Sequence, residues 1–254
     1  MKPEVSYFPD LESLSLEAAR FIFQAVLKGV LEKGLFTIAL SGGKTPGRLY
    51  EILSRPPFVN QMPWERIHFF WGDERCIPPD HRESNYRLAF QTLLSQTPLP
   101  EKNVHRIPVE KGPGPLVALA YENELYHFLP ADPPLESKEG LRPIPSLDLI
   151  LLGLGKDGHT ASLFPGDPAL KENEHLTAFV PRSPLAPFLP RITLTLPLIN
   201  QAGCVLFLVS GSEKTEVVKA IFTNPGSCRD RYPAALVNPQ GKVRWFVCPG
   251  RSAG

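Results

Sequence analysis

Between residues 147 and 166 the chain reads Leu-Asp-Leu-Ile-Leu-Leu-Gly-Leu-Gly-Lys-Asp-Gly-His-Thr-Ala-Ser-Leu-Phe-Pro-Gly, with the acid Asp157 two residues before the imidazole of His159. An imidazole takes and gives protons near neutral pH, and a carboxylate beside it can orient the ring. The apolar run ahead of the pair carries no charge after Asp148, which predicts a strand buried on both faces. The glycines then predict a loop, and the residues up to Pro165-Gly166 a short helical segment. Acid–base groups at the carboxyl end of a central strand sit where open α/β sheets bind ligands. A lone histidine near a strand end is more often a hydrogen-bonded structural residue; Asp157 and the glycine frame bring the catalytic reading level with that one.

Three further loops follow predicted strands and end in polar chemistry. The first holds Ser41, Gly42, Gly43, Lys44 and Thr45, with Pro46 placed to open a helix. Its glycines let backbone N–H groups approach an anion, and the helix adds its positive end; the plain alternative is a tight strand-to-helix turn. The second carries Asp73 and Arg75, the third Lys214. Arginine offers a planar fork for phosphate and lysine a mobile point charge. Singly, each of these cations reads as a solvated surface charge, and Asp73 as a loop residue bonding its own backbone. In a parallel sheet all four loops project from one edge, and that shared position is what makes phosphate binding worth proposing.

Other chemistries fall away. The P-loop pattern fails because Ile38 stands where its first glycine belongs. Gly153, Gly155 and Gly158 match G-x-G-x-x-G after a strand, but Pro165-Gly166 leaves no room for the long helix a dinucleotide needs. No G-x-S-x-G elbow exists. His68, His81, His105, His127 and His175 lack metal-ligand spacing, so no metal site is expected. Cys76, Cys204, Cys228 and Cys248 are scattered singly, which fits a reducing cytosol and a cytoplasmic protein.

The elements that must position these residues follow from periodicity. Residues 11–33 repeat apolar positions at helical spacing, as do those from 116 to 128. Ser84 or Asn85 opens a helix running to about 94, and Ser212 another to about 222. Residues 36–40, 67–71, 147–152, 191–196, 204–209 and 242–247 read as strands, while 130–146, rich in Pro, Glu and Lys, reads as a surface connector. Alternating strands and helices over 254 residues predict a single α/β domain: a doubly wound, mostly parallel, Rossmann-like sheet covered by helices on both faces. A formal net charge of +1 gives no electrostatic case for nucleic acid or a membrane surface, and no segment reads as a signal peptide or membrane span.

Taken together the loops resemble the 6-phosphogluconolactonase family, within the wider glucosamine-6-phosphate isomerase-like superfamily. The carriers are Leu40-Ser-Gly-Gly-Lys-Thr-Pro46, Trp71-Gly-Asp-Glu-Arg75 with His81-Arg-Glu-Ser-Asn85, and Leu152 through Pro165. Arg191-Ile-Thr-Leu-Thr and Ser210-Gly-Ser-Glu-Lys214 complete a resemblance that covers most of the chain. It implies hydrolysis of 6-phospho-D-glucono-1,5-lactone in the oxidative pentose phosphate pathway, with His159 as base and Asp157 or Asp73 orienting the imidazole or the water. It also implies no metal or organic cofactor, since an activated ester is already an electrophile. Ser41, Gly42, Gly43, Lys44, Thr45, Arg75 and Lys214 would then hold the sugar phosphate, in a monomer or small homo-oligomer. One departure is Lys44, where the family usually has Ser; it either adds a phosphate contact or points to solvent. Two rivals share the fold. A sugar-phosphate isomerase or deaminase is disfavoured because Arg75 stands where those enzymes usually carry Tyr and no Glu follows His159 closely. A non-catalytic sugar-phosphate sensor should lose the Asp157/His159 pair and carry an added domain.

Overall fold

The computed structural model describes residues 4–129 and 142–250. Of the expected connector at 130–146, residues 130–141 lie outside the described residues, and 142–146 are irregular backbone. The strands are β1 (Glu4–Tyr7), β2 (Phe36–Leu40), β3 (Ile67–Trp71), β4 (Asp73–Arg75), β5 (Leu149–Leu152), β6 (Thr177–Val180), β7 (Arg191–Leu194), β8 (Cys204–Ser210) and β9 (Lys242–Cys248), with α-helices between successive strands except from β3 to β4 and from β5 through β7. Six of them form one parallel sheet in the order β1-β9-β8-β5-β2-β3. The mostly parallel α/β architecture is therefore as expected. Strand β5, Leu-Ile-Leu-Leu, is buried at every position, because a central parallel strand is covered on both faces. The long helix Leu11–Lys33 starts where Asp10 accepts a hydrogen bond from Ser13 N and stops at Gly34, whose φ of 80° is left-handed.

From the seam between β2 and β5 the strands rise in sequence order outward to β3 on one side and to β9 on the other, with β1 added beyond β9; such a seam is where open sheets leave a crevice. The chain must leave the sheet there without stranding its backbone polar groups. Two buried tyrosines solve this. The Tyr50 hydroxyl accepts from Ser41 N at 3.0 Å and donates to Ser41 O at 2.7 Å, just past β2. At the end of β3 the Tyr121 hydroxyl accepts from Trp71 N at 2.8 Å and donates to Trp71 O at 3.0 Å. Burial pushes both phenols well above their usual range, so they remain neutral donors.

The structure departs from the sequence reading in a second sheet. Strands β4, β7 and β6 form a three-stranded antiparallel sheet, in the order β4-β7-β6. The loop expected at 72–75 is thus largely strand, and the strand expected at 191–196 belongs to this small sheet rather than the parallel one. The helical segment expected after His159 is absent: Thr160 and Leu163 form an isolated bridge. Ala161 there takes a φ of 47°, and Ser162 N bonds to Thr193 Oγ1 at 3.2 Å, so the donors a helix needs are turned elsewhere. The helix expected from Ser212 opens as a single 3-10 turn, Ser212–Lys214, before the α-helix Thr215–Thr223. No helix among the described residues is long and apolar enough to cross a membrane.

Removing the Tyr50 hydroxyl should unpair both backbone groups of Ser41. Tyr50→Phe is expected to lower unfolding stability by about 1–3 kcal/mol, the usual cost of orphaned buried polar groups. Urea unfolding of the two proteins side by side measures it.

Candidate active site

At the carboxyl edge of the parallel sheet the loops enclose a cavity of about 300 Å³, at the small end of the range of small-ligand sites. Ser41, Gly42, Gly43, Lys44, Thr45, Asp73, Arg75, His159 and Lys214 all line it. Of the residues expected from sequence, Asp157 alone is off the wall, directly behind His159.

The pair is tightly made. His159 Nδ1 lies 2.5 Å from Asp157 Oδ1, and His159 N donates to the same oxygen at 3.3 Å. Burial raises the Asp157 carboxyl, but the hydrogen bonds and charge of His159 outweigh it and hold the group below the usual carboxylate range. A carboxylate only accepts, so Nδ1 carries the proton, and in the neutral ring Nε2 is the nitrogen able to take one. The ring is packed as well as bonded: Phe164 lies 4.8 Å away between centroids, tilted by 42°. On the other side a Cβ on Gly155 would come within 2.0 Å of His159 Nδ1. Gly155 N donates to His159 O at 2.9 Å, so the loop folds the imidazole onto a glycine that must have no side chain.

Gly43, with a φ of 103°, precedes the helix Lys44–Leu53, and no side chain caps the helix's first amides. Those donors and the helix dipole face the cavity mouth, beside exposed Lys44 and buried Thr45. Lys214, on the turn after β8, is held below its usual value by burial, against the opposing charge of Glu213.

The small sheet supplies the opposite wall. In the β4–β7 ladder Asp73 faces Thr193 and Arg75 faces Arg191, so these four side chains share one face and Glu74 with Ile192 takes the other. Asp73 Oδ2 accepts from Ser162 Oγ at 2.5 Å, and Oδ1 from Asn85 Nδ2 at 3.0 Å. Asp73 is thus engaged by Ser162 and Asn85, and the residue bonded to His159 is Asp157. Glu74, 2% exposed, accepts from Arg75 N, Ser84 Oγ, Asn85 N and Tyr86 N at 2.7 to 2.9 Å. It thereby ties β4 to the start of the helix Asn85–Thr92. Arg75 Nη1 donates to Glu83 O, which turns this side chain toward the same helix.

With this geometry in view, comparison with known proteins is direct. The profile of the family described as glucosamine-6-phosphate isomerases/6-phosphogluconolactonase matches residues 9–245. The chain belongs to this family. A 6-phosphogluconolactonase of Synechocystis sp. is 40% identical over 247 residues, covering 97% of this chain and 96% of the relative. The structure of 6-phosphogluconolactonase from Leishmania guyanensis superposes with a TM-score of 0.87 at 30% identity, over 100% of this chain and 99% of that one. That of the Trypanosoma brucei enzyme gives 0.86 at 30% identity, over 97% and 96%.

Within the family fold, three wall residues escape sequence reasoning: Arg191, Asn85 and Gly155 as a packing surface. Arg191 stands in a block that carries the family resemblance and opens the apolar alternation Arg-Ile-Thr-Leu-Thr-Leu with a charge, but neither signal gave it a place in the site. Asn85 is legible as a helix start and as the end of the His81–Asn85 block, but nothing in sequence says that its Oδ1 fills the space a Cβ on Gly42 would need, 1.8 Å away.

Gly155→Ala should push the imidazole off Asp157. The expected loss in kcat is about 10²-fold, the scale of an ångström-sized misplacement of a catalytic group. Gly226→Ala, where a Cβ meets nothing within 4 Å, should leave steady-state turnover unchanged.

Proposed function

We propose that this cavity hydrolyses 6-phospho-D-glucono-1,5-lactone to 6-phospho-D-gluconate, in the oxidative pentose phosphate pathway, with His159 as general base. The observation that carries the reading is the Asp157–His159 contact of 2.5 Å on the wall of a cavity whose mouth offers an uncapped helix N-terminus and lysines. Family membership and the lactonase names of the full-length relatives support the reaction.

In this reading the 6-phosphate lies against the amides of Gly42 and Gly43, with Ser41, Lys44, Thr45 and Lys214 around it and Arg75 closing the clamp. That remote dianion supplies binding energy that positions the lactone carbonyl. His159 Nε2 takes a proton from the attacking water while Asp157 stabilises the imidazolium that forms. Collapse of the tetrahedral intermediate breaks the bond from C1 to the ring oxygen, and the imidazolium returns its proton to that oxygen. The chemistry asks for no redox group and no electron transfer; an activated ester is already an electrophile. The same reading takes the chain as one α/β domain working in the cytoplasm as a monomer or small homo-oligomer. Its partner is the sugar-phosphate lactone rather than nucleic acid or membrane.

The test generates the lactone in situ from glucose 6-phosphate and follows its hydrolysis against the spontaneous background, with 6-phosphogluconate dehydrogenase reporting. Wild type should accelerate the reaction, and His159→Ala should lower kcat on the order of 10²–10⁴-fold. Absence of acceleration by wild type rejects the lactonase reading. Lys214→Ala should raise KM for the phosphorylated lactone far more than for unphosphorylated glucono-1,5-lactone; equal losses on both substrates would remove Lys214 from the clamp.

A further inference from the structure

Arg191 is buried to 6% exposure at the head of β7, on the cavity wall, and the clamp described above gives it nothing to do. Its Nε is buried with no partner among the described residues. The nearest carboxylate oxygen, Asp73 Oδ2, stands 4.0 Å from its guanidinium, beyond hydrogen-bond reach, and already accepts from Ser162 Oγ. Directly across the ladder is a second cation, Arg75, on the same face. Like charges opposed across two strands repel, and a guanidinium sunk among them is costly unless an anion completes it. Arg75 gives Nη1 to Glu83 O and its buried Nε, like that of Arg191, has no partner among the described residues, but no hydrogen bond among them ties the Arg191 guanidinium to a neighbouring element.

Position selects which anion that is. The loop bearing His159 is fastened to the same two strands: Ser162 Oγ bonds Asp73 on β4, and Ser162 N bonds Thr193 on β7 at 3.2 Å. Thr193 lies two residues from Arg191, on the same face of the ladder. The base and Arg191 are therefore parts of one wall, whereas the helix amides at Gly43 and the Lys214 turn come from the ends of β2 and β8. The atoms that react at His159 are C1 and its oxygens.

We propose that Arg191 is a catalytic residue that binds the C1 oxygen of the substrate and stabilises the negative charge it gains. The inference rests on the lactonase reading. As the water oxygen bonds to C1, the carbonyl π pair moves onto the C1 oxygen, the water proton passes to His159, and Arg191 N–H donors hold the oxyanion. The pair then re-forms the carbonyl as the bond to the ring oxygen breaks, and the imidazolium proton goes to that oxygen. The new acid loses its proton to solvent, and its carboxylate is a planar partner for the guanidinium.

Two ligands separate this role from phosphate binding. The product 6-phosphogluconate carries the C1 carboxylate; 1,5-anhydroglucitol 6-phosphate keeps the six-membered ring and the phosphate but has no exocyclic oxygen on C1. In Arg191→Gln, 6-phosphogluconate should bind at least about 10-fold more weakly while 1,5-anhydroglucitol 6-phosphate binds within about 2-fold of wild type, by calorimetry. Turnover should fall on the order of 10²–10³-fold, equally for the phosphorylated and unphosphorylated lactones. Arg191→Lys, which keeps the charge, should recover part of that turnover. Retained binding of the anhydro compound also shows that the pocket is formed. Parallel loss of both ligands in both variants, or a turnover loss confined to the phosphorylated lactone, would overturn the assignment and make Arg191 a phosphate or scaffold residue. Failure of wild type to speed lactone hydrolysis is a separate result, and it strikes the underlying reading instead.

Discussion

Two adjacent carboxylates, Asp73 and Glu74, are buried on a strand only three residues long, and a buried carboxylate is tolerable only when its lone pairs are filled. The pleat sends them to opposite faces, so each recruits donors from a different part of the chain. Glu74 draws in three backbone amides and the Ser84 hydroxyl, fixing where the helix Asn85–Thr92 begins. Burial still leaves its carboxyl above the ordinary range, a sign that desolvation is barely offset. Asp73 draws in Ser162 and Asn85, fixing the loop that carries His159. One wall of the cavity is thus assembled by polar satisfaction, while the opposite rim is set by apolar strands and the Tyr50 brace.

The contrast with Asp157 shows how environment divides three neighbouring acids among different tasks. Asp157 is partly exposed and its strongest bond is to an imidazole, so charge attraction wins over burial. Asp73 and Glu74 spend their oxygens on hydroxyls, amides and backbone. In physical terms the first is an electrostatic partner and the other two are fasteners, a distinction that residue type alone does not carry.

Much of the fold was legible because central parallel strands are nearly continuous apolar runs. Phe36-Thr-Ile-Ala-Leu40 and Leu149-Ile-Leu-Leu152 announce themselves that way, as does the 11–33 helix by its period. The small sheet was not legible. β4 is Asp-Glu-Arg, which has no strand propensity to speak of and is extended only because β7 and the helix at Asn85 accept its polar groups. β1 escaped for another reason: its partner β9 lies at the other end of the chain, so nothing local marks the edge strand. The site followed the same division. Residues on loops after parallel strands were found by topology, whereas Arg191 and Asn85 became visible only through the cross-strand register and the space above Gly42.

The run Gly153-x-Gly155-x-x-Gly158 makes the same point about motifs. In a dinucleotide fold the spacing serves close approach of a pyrophosphate and packing of the helix that follows. Here no helix follows, and the second and third glycines answer to different neighbours. Gly155 yields its side-chain space to the His159 ring, and Gly158, at a φ of 82°, to Tyr232, whose Cδ1 would lie 2.4 Å from any Cβ there. Ala234 N donates to Gly158 O at 3.0 Å, binding the loop to the segment beyond it. The glycines therefore do not make a flexible loop. They let the His159 and Tyr232 side chains and a second backbone press against it, which packs the imidazole beside its carboxylate. Holding a base in place before substrate arrives is what electrostatic preorganisation requires, and here it is achieved by leaving out side chains rather than adding them.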